Sequence, residues 1–339
     1  MSRGLGDVYK RQVDEVEFVV LDYNSQDGLE EWIAQSMMKY IEMGILVYYR
    51  TTEPVHYLRS HSRNMVFRLA EGKIVCNLDA DNYLGEGFAE FMLKEFQEKK
   101  KIFYTSNLCV RDVFGRVCLE KEAFMAVKGY NELLVGYGVE DADLFKRLTC
   151  IGHRRHVFIQ ESFYGALTHE DNERVVEEPL LKKLYALYLD YIDPYSTRIL
   201  MLYKEHFWGM GALQNNVAMN CNRNNIECDR IEQCMSDKYR FVVKEEWKEG
   251  EWCNVDGGIL LNGKYLFVDN QKGLCYRDRY FYKVTDVDLI VTVVLLITEA
   301  LNYSKVKRTL DNNECINSQG FGCGTVFRNF DYANRIILK

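Results

Sequence analysis

The segment Ile74–Asp81 most restricts the folds open to this chain, because an apolar run ends there in two carboxylates one residue apart. Between Gly72 and Gly85, an apolar run of this length is typical of a strand buried on both faces of a sheet. Open α/β sheets bind ligands at the carboxyl ends of such strands. Asp79 and Asp81 lie two positions apart, so both side chains point to one side of an extended backbone and together can hold a hard divalent cation. A solvated turn is the alternative interpretation.

The segment Gly136–Leu144 is a second acidic cluster, in which two glycines precede Glu140, Asp141 and Asp143. Acids followed by apolar residues at helical spacing predict the N-terminus of an amphipathic helix. Helix capping alone would explain these acids. The glycines, however, let the backbone approach a ligand closely while one carboxylate points out of the helix end, and that arrangement suits a general base.

Four blocks of the sequence occur in an order that resembles nucleotide-sugar glycosyltransferases of the GT-A fold. The likeness is to the family-2-like enzymes and to the galactosyltransferase-type C-terminal Gly-x-Gly-x-Glu-Asp motif. The blocks are Val19–Gly28, Ser62–Gly72, Gly129–Asp143 and Leu167–His169. They span roughly half of the chain, and four blocks in the correct order are more specific than any single motif.

The resemblance implies transfer of a sugar from a nucleoside-diphosphate sugar to an acceptor hydroxyl, and a single displacement would invert the anomeric configuration. It implies Mn²⁺ or Mg²⁺ on Asp79, Asp81 and His169, where a cation neutralises the charge that develops on the leaving diphosphate. It also implies contact between Asp22 and the nucleotide base. A packed or surface role is the alternative for the lone histidine.

On the acceptor side, the resemblance implies that Asp141 removes the proton from the attacking hydroxyl and that Glu140 holds an acceptor hydroxyl. Tyr137 and Gly138 would line the acceptor site, since an aromatic ring offers an apolar face to a pyranose. Ordinary packing is the alternative for any one of the 23 tyrosines. Arg63 would reach the diphosphate as a planar cation, or would lie on the solvated face of a helix.

Helical and strand patterns alternate through the first half and predict an α/β fold with a mostly parallel sheet flanked by helices. Helices are expected at Leu29–Ile41 and Gly87–Phe96, strands at Ile45–Tyr49 and Ile102–Ser106, and a hairpin at Cys109–Leu119. The resemblance implies a GT-A, Rossmann-like arrangement of these elements.

The sheet is expected to lack its first strand. In the GT-A family that strand lies between the strand ending at Asp22 and the one ending at Asp79, and nothing before Val16 supplies it. Residues 1–12 are basic, contain glycine and have no apolar run, so we expect a non-native or disordered segment on an N-terminally truncated chain. A missing central strand would expose backbone hydrogen-bonding groups on both neighbours and could leave this chain inactive.

The sequence predicts a catalytic domain over residues 13–174 and an accessory region over 175–339. Val175–Tyr203 has Leu, Lys and Tyr at helical spacing with a break at Asp193-Pro194, which predicts two helices. Lys238–Tyr282 alternates apolar and polar residues between glycine turns, which predicts a small antiparallel meander. Acceptor selection and assembly are both open as roles for this region.

Composition restricts the class of protein further. With 339 residues and 47% hydrophobic content the chain can bury a large core, and a net charge of −7 argues against a nucleic-acid partner. The apolar stretch Leu289–Ile297 is too short to cross a bilayer, so no transmembrane segment is expected. The 11 cysteines include no Cys-x-x-Cys, which favours free thiols in a reducing cytoplasm; a position peripheral to the membrane stays open.

Two other functions are compatible with the same motifs. A degenerate relative could bind a nucleotide sugar or a glycan without turning it over. A nucleotidyltransferase that makes sugar nucleotides would need a basic glycine-rich loop followed by a strand and a helix, and residues 1–12 lack that context. We therefore expect a glycosyltransferase that uses a nucleotide-sugar donor and a glycan or other hydroxyl-bearing acceptor.

Overall fold

The chain divides into two units. The first unit contains the described residues up to 168 together with residues 302–339, and the second contains the described residues from 178 to 301. The predicted accessory region 175–339 is thus divided between the units, because its last part belongs with the acidic motifs. The computed structural model describes residues 16–107, 112–168, 178–193, 196–215, 239–241, 247–269, 273–277, 279–312 and 314–339.

The first unit alternates strands and helices up to residue 168, as the apolar periodicity predicts. The segment 29–41 forms two short helices, and the predicted hairpin supplies one strand after residue 116; its residues 108–111 lie outside the described part of the chain. The elements are β1 (Phe18–Tyr23), α1 (Leu29–Ser36), α2 (Met38–Glu42), β2 (Leu46–Thr51), α3 (Arg59–Leu69), β3 (Ile74–Cys76), β4 (Asn82–Tyr83), α4 (Phe88–Glu98), β5 (Ile102–Thr105), β6 (Val117–Glu120), α5 (Lys121–Ala126), α6 (Glu140–Cys150), β7 (Arg154–Val157) and β8 (Gly165–Ala166).

The second unit is built mainly from antiparallel strands, and the chain then returns to the first unit. The second-unit elements are α7 (Pro179–Lys183), β9 (Leu184–Asp193), β10 (Ser196–Tyr203), β11 (Phe207–Asn215), β12 (Tyr239–Phe241), β13 (Lys248–Val255), β14 (Gly258–Leu261), β15 (Lys264–Asp269), β16 (Gly273–Tyr276) and β17 (Arg279–Lys283). After them come α8 (Val287–Asp311) and the first-unit strands β18 (Gly324–Arg328) and β19 (Asp331–Leu338).

The first unit has two four-stranded sheets, in the orders β1-β2-β18-β19 and β3-β6-β5-β7. The prediction of a mostly parallel sheet was wrong, since only β1 with β2 and β5 with β7 pair in parallel among these strands. The other pairings are antiparallel because β6 returns between β3 and β5, and because the β18–β19 hairpin adds to the edge of β2. The architecture is therefore mixed α/β.

No described strand pairs with the second edge of β1 or of β3. The segments that precede the two strands are in contact, because the Glu17 carboxylate accepts hydrogen bonds from the backbone N–H groups of Glu71 and Gly72 at 2.5 and 2.9 Å. The resemblance places a strand between β1 and β3 in the family, and the expectation that this chain lacks it stays a prediction.

The main core of the first unit lies where α3, α5 and α6 cover the sheet of β3, β5 and β6. Its fully enclosed members include Phe103, Leu119, Phe124, Leu144 and Leu148. These residues come from the periodic apolar positions of their elements, so burial of this cluster fixes the ends of β3 and α6 where the acidic residues lie.

A disulfide joins β3 to β6. Cys76 and Cys118 are directly opposite partners in the antiparallel ladder and are bonded to each other. The expectation that all thiols are free was wrong for this pair, because residues distant in sequence become cross-strand neighbours only once the sheet forms.

The second unit is a closed antiparallel barrel. Its nine-stranded sheet closes on itself through pairing of β10 with β11, and β12 is a short branch on β11. The meander predicted within residues 238–282 corresponds to consecutive hairpins from β13 to β17.

The prediction of two helices within residues 175–203 was wrong, since α7 is short and the hairpin β9–β10 follows. Both faces of β9 are covered: Tyr188 lies with the barrel-core residues, whereas Leu187 and Leu189 pack against Val294 and Ile297 of α8. Apolar residues on both faces remove the alternation that marks a half-exposed strand, and the remaining pattern resembles helical spacing.

Helix α8 runs for 25 residues, well beyond the apolar stretch that was judged too short. Among the described helices it alone has the length and apolar composition of a membrane span, and 39% of its apolar window is buried inside the protein. Length therefore does not exclude a crossing, while the packing on β9 shows that one part of the helix already has a protein partner.

Candidate active site

The two predicted metal-binding carboxylates follow the end of β3. The Asn77 amide donates to Asp79 Oδ1 at 3.1 Å and to the Gly115 carbonyl at 3.0 Å. The Asn82 amide donates to Asp81 Oδ1 at 2.8 Å. Each carboxylate is thus oriented by an amide close to it in sequence. The Asp79 side chain is 38% exposed, so it is accessible to a ligand.

Arg63, on α3, connects the first acidic cluster to the second. Its Nη1 lies 3.0 Å from Asp141 Oδ1 and 3.5 Å from Glu140 Oε1, and its Nη2 lies 3.5 Å from Asp79 Oδ1. The guanidinium is buried, so the interpretation of Arg63 as part of a solvated helix face was wrong. A buried guanidinium needs carboxylate partners, and here those partners come from both motifs.

Asp141 has the electrostatic environment expected of a general base. Its pKa is raised to about 6: burial is the largest cause, Arg63 acts in the opposite direction, and the negative charges of Glu140 and Asp79 add to the increase. A carboxylate with a pKa near neutrality is ionised at pH 7 and still accepts a proton readily. Asp143, the third acid of the motif, instead pairs with Arg147 at 2.7 Å on the same helix.

The loop that leads into α6 has an unusual backbone. Gly136, Gly138 and Val139 all have positive φ, at 85°, 92° and 78°. Glycine adopts this conformation without strain, but a β-branched residue such as valine rarely does. Strain of this kind persists only where the surrounding structure holds it, and it is concentrated at functional sites.

The predicted acceptor residues Tyr137 and Gly138 lie in this loop. The guanidinium of Arg59 lies 4.8 Å from the centre of the Tyr137 ring, and its Nε lies 3.7 Å from Glu140 Oε1. Arg59 therefore links the tyrosine to the acidic pair. Stacking of Tyr137 on an acceptor sugar stays a prediction.

Asp22 is enclosed at the end of β1. Its carboxylate accepts hydrogen bonds from the Ser25 N–H and the Tyr48 hydroxyl, both at 2.8 Å, and Arg50 Nε lies 3.6 Å away. Asp22 is 1% exposed, and through these contacts it connects the turn that follows β1 to strand β2. Its contact with a nucleotide base stays a prediction.

His169, the predicted third metal ligand, lies outside the described residues. The chain leading towards it is fixed beside the first acidic cluster, because the Leu167 N–H donates to the Asp81 carbonyl at 2.8 Å. Within the described part of the chain, no three His, Cys, Asp or Glu side chains form a group with metal-site spacing.

Sequence reasoning missed two residues that shape the site. A Cβ at Gly115 would lie 2.6 Å from Arg63 Nη2 and 3.0 Å from Asp79 Oδ2, so a larger residue would require the ends of these two side chains to shift. Arg116, 1% exposed, donates to Asn82 Oδ1 at 2.9 Å and so supports the amide that orients Asp81. Both residues follow Phe114 in the turn of the hairpin predicted at Cys109–Leu119. The only signal in the sequence was a basic residue next to a glycine in that turn.

The glycine-rich C-terminal segment Gly320–Thr325 packs on this site's scaffold as a tight loop. The Gly322 N–H donates to Glu132 Oε1 at 2.6 Å, and the same carboxylate accepts from the Asn64 amide at 2.8 Å. Phe321 belongs to the main core. C-terminal residues therefore complete the support of α3, which carries Arg63.

One family model matches part of the chain. Residues 107–169 match a family model described as the N-terminal domain of galactosyltransferase. The resemblance to nucleotide-sugar glycosyltransferases is confirmed. The match includes the loop and helix that carry Glu140 and Asp141, and it supports a glycosyltransferase. No curated protein matches the chain by sequence.

Similar solved structures are glycosyltransferase structures. The catalytic domain of Drosophila β1,4-galactosyltransferase 7 in complex with xylobiose has 13% identity and a TM-score of 0.34, over 48% of this chain and 75% of that one. S. aureus TarS residues 1–349 have 17% identity and a TM-score of 0.40, over 52% of this chain and 58% of that one. A further structure of the Drosophila enzyme contains manganese, UDP-Gal and xylobiose.

Proposed function

We propose that this glycosyltransferase moves a sugar from a nucleoside-diphosphate sugar to an acceptor hydroxyl, in a metal-dependent reaction that inverts the anomeric configuration. The observation that carries the proposal is the Arg63 ion-pair cluster. It brings an accessible carboxylate, Asp79, and a buried carboxylate with a near-neutral pKa, Asp141, to one guanidinium from distant parts of the sequence.

The donor side would hold Mn²⁺ or Mg²⁺ on Asp79, Asp81 and His169. The donor set fits a hard cation, because carboxylate oxygens suit Mg²⁺ and Mn²⁺, and because Asn77 and Asn82 already fix both carboxylates. A bound divalent cation would supply charge neutralisation for the departing nucleoside diphosphate.

On the acceptor side, Asp141 would take the proton of the attacking hydroxyl while Glu140 accepts a hydrogen bond from a neighbouring one. Arg63 favours the ionised form of Asp141 and opposes the effect of burial on its pKa. Tyr137 and Gly138 would line the acceptor position, and Asp22 would support the nucleotide side. The second unit would select the acceptor or mediate assembly.

A non-catalytic nucleotide-sugar or glycan-binding protein is the second candidate. It is favoured by the enclosure of Asp141, which is 5% exposed and paired with Arg63, so an acceptor must displace part of that enclosure to reach it. Turnover distinguishes the two candidates.

The test is release of nucleoside diphosphate from a panel of UDP- and GDP-sugars with Mn²⁺, with and without glycan acceptors. We expect turnover that is lost in Asp79→Ala and Asp141→Asn and retained in Asp311→Asn, a matched control on the exposed end of α8. Saturable, metal-dependent binding without diphosphate release would favour the binding protein instead. Turnover that survives in Asp141→Asn would remove that residue from the mechanism.

A further inference from the structure

Asn302, on α8, contacts the loop before α6. Its amide Nδ2 lies 3.1 Å from the carbonyl oxygen of Val135 and 3.1 Å from that of Gly138. Both partners are acceptors, which fixes the orientation of the amide and uses both of its N–H groups. Asn302 is 1% exposed, and Lys305 on the same helix donates to the Leu133 carbonyl at 3.1 Å.

These two bonds hold the part of the loop that directly precedes the strained residue Val139. Between them lie Gly136 and Tyr137, and Val139 with its positive φ follows directly. Val139 is also the residue before the first turn of α6, so the position of this loop sets where Glu140 and Asp141 begin. A strained backbone of this kind relaxes when the contacts that hold it are removed.

We propose that Asn302 is a positioning residue for the acceptor step: it clamps residues 135–138 so that Asp141 and Glu140 are held in the geometry that proton removal requires. The inference rests on the proposed function. The donor-side carboxylates Asp79 and Asp81 take their orientation from other amides, Asn77 and Asn82. Loss of the clamp therefore acts on the acceptor step and spares donor binding.

The first measurement compares Asn302→Ala and Asn302→Asp with wild type. The aspartate is nearly isosteric but presents an oxygen to two carbonyl oxygens, so it opposes the clamp directly. We expect kcat for transfer to fall at least about tenfold in both variants, because small misplacements of a catalytic group have effects of this size. The donor KM and the Kd for nucleoside diphosphate stay within about twofold. Asn312→Ala, an exposed control directly after the end of α8, leaves all three quantities unchanged.

A second measurement reports on the loop without activity. Chymotrypsin cleavage after Tyr137 under native conditions, mapped by mass spectrometry, accelerates at least about tenfold in the Asn302 variants when loop opening controls cleavage. Unchanged cleavage would overturn the clamp. Faster cleavage with unchanged kcat would overturn the positioning role while leaving the proposed function intact.

The remaining outcomes separate the inference from the function on which it rests. Equal losses of transfer and nucleoside-diphosphate binding, together with a lower Tm, would assign Asn302 a purely structural role and overturn the inference. Absence of turnover in wild type would refute the proposed function, and the catalytic role of Asn302 with it.

Discussion

The ionisation of Asp141 gives a quantitative test of the site. A base with a pKa of about 6 is ionised in about nine molecules of ten at pH 7 and in about one of ten at pH 5. We therefore expect kcat/KM for transfer to fall about tenfold between pH 7 and pH 5. A carboxylate with the ordinary pKa of 3.8 would lose less than about a tenth of its ionised fraction over the same range.

The fall in kcat/KM at low pH forms the acid limb of the pH–rate profile. Removal of a neighbouring negative or positive charge should move this limb in opposite directions. Glu140→Gln removes a negative charge that raises the pKa of Asp141, so the limb moves to lower pH. Arg63→Gln removes the positive charge that lowers this pKa, so the limb moves to higher pH in whatever fraction of the variant folds. The assay is initial-rate transfer at pH 4.5–8, within the range where circular dichroism shows the native fold. A limb below about pH 4.5 in wild type, or the same limb in residual Asp141→Asn activity, would refute the assignment.

The same pKa predicts a stability effect with a definite sign. Because the folded-state pKa of Asp141 is raised, its contribution to stability is present below the unfolded value of 3.8 and is lost as pH rises through about 6. At pH 7 the ionised, buried group should thus cost about 3 kcal/mol relative to the unfolded chain. Denaturant unfolding should show that the stability of Asp141→Asn relative to wild type increases between pH 4 and pH 7. A relative stability that does not change with pH would contradict this account.

Three further changes have defined outcomes. Gly115→Ala should reduce kcat at least about tenfold, since the added methyl group would shift the guanidinium of Arg63 relative to Asp79. Unchanged kcat would show that this ion pair is not needed. Tyr48→Phe should lower the free energy of unfolding by about 1–3 kcal/mol, because buried Asp22 loses a hydrogen bond, whereas exposed Tyr303→Phe should have no effect in the same urea titration. The disulfide between β3 and β6 closes a loop of 42 residues. Its reduction should therefore lower the free energy of unfolding by about 3–4 kcal/mol. Equal stability with and without reductant would refute its formation.

Local patterns allowed the strands and acidic motifs of the first unit to be predicted from sequence. The break from apolar residues to Asp79 and the glycines before Glu140 are each contained in a few positions. The role of Arg63 could not be predicted in the same way, because its ion-pair partners lie 16 and 78 residues away. On sequence alone, a helix with several arginines is equally consistent with a solvated face.

The larger errors concern pairings between distant segments. The parallel character of the sheet was overestimated because β6 inserts between two strands and because β18 comes from the far end of the chain. Hairpin β9–β10 was assigned to helices because both of its faces are covered. In each case the decisive contact depends on tertiary structure, which residue periodicity does not contain.

The β18–β19 hairpin has a consequence for biosynthesis. The Asn329 side chain accepts a hydrogen bond from the Tyr48 N–H across 281 positions, so β2 gains its second neighbour only after the whole barrel has been translated. During synthesis, one edge of β2 in the first unit has no strand partner until β18 is made. The barrel, in contrast, can fold from its own consecutive hairpins. Chaperone dependence and slow maturation should therefore be properties of the first unit. A circular permutant that begins at residue 302 would shorten the time between synthesis of β18 and synthesis of β2.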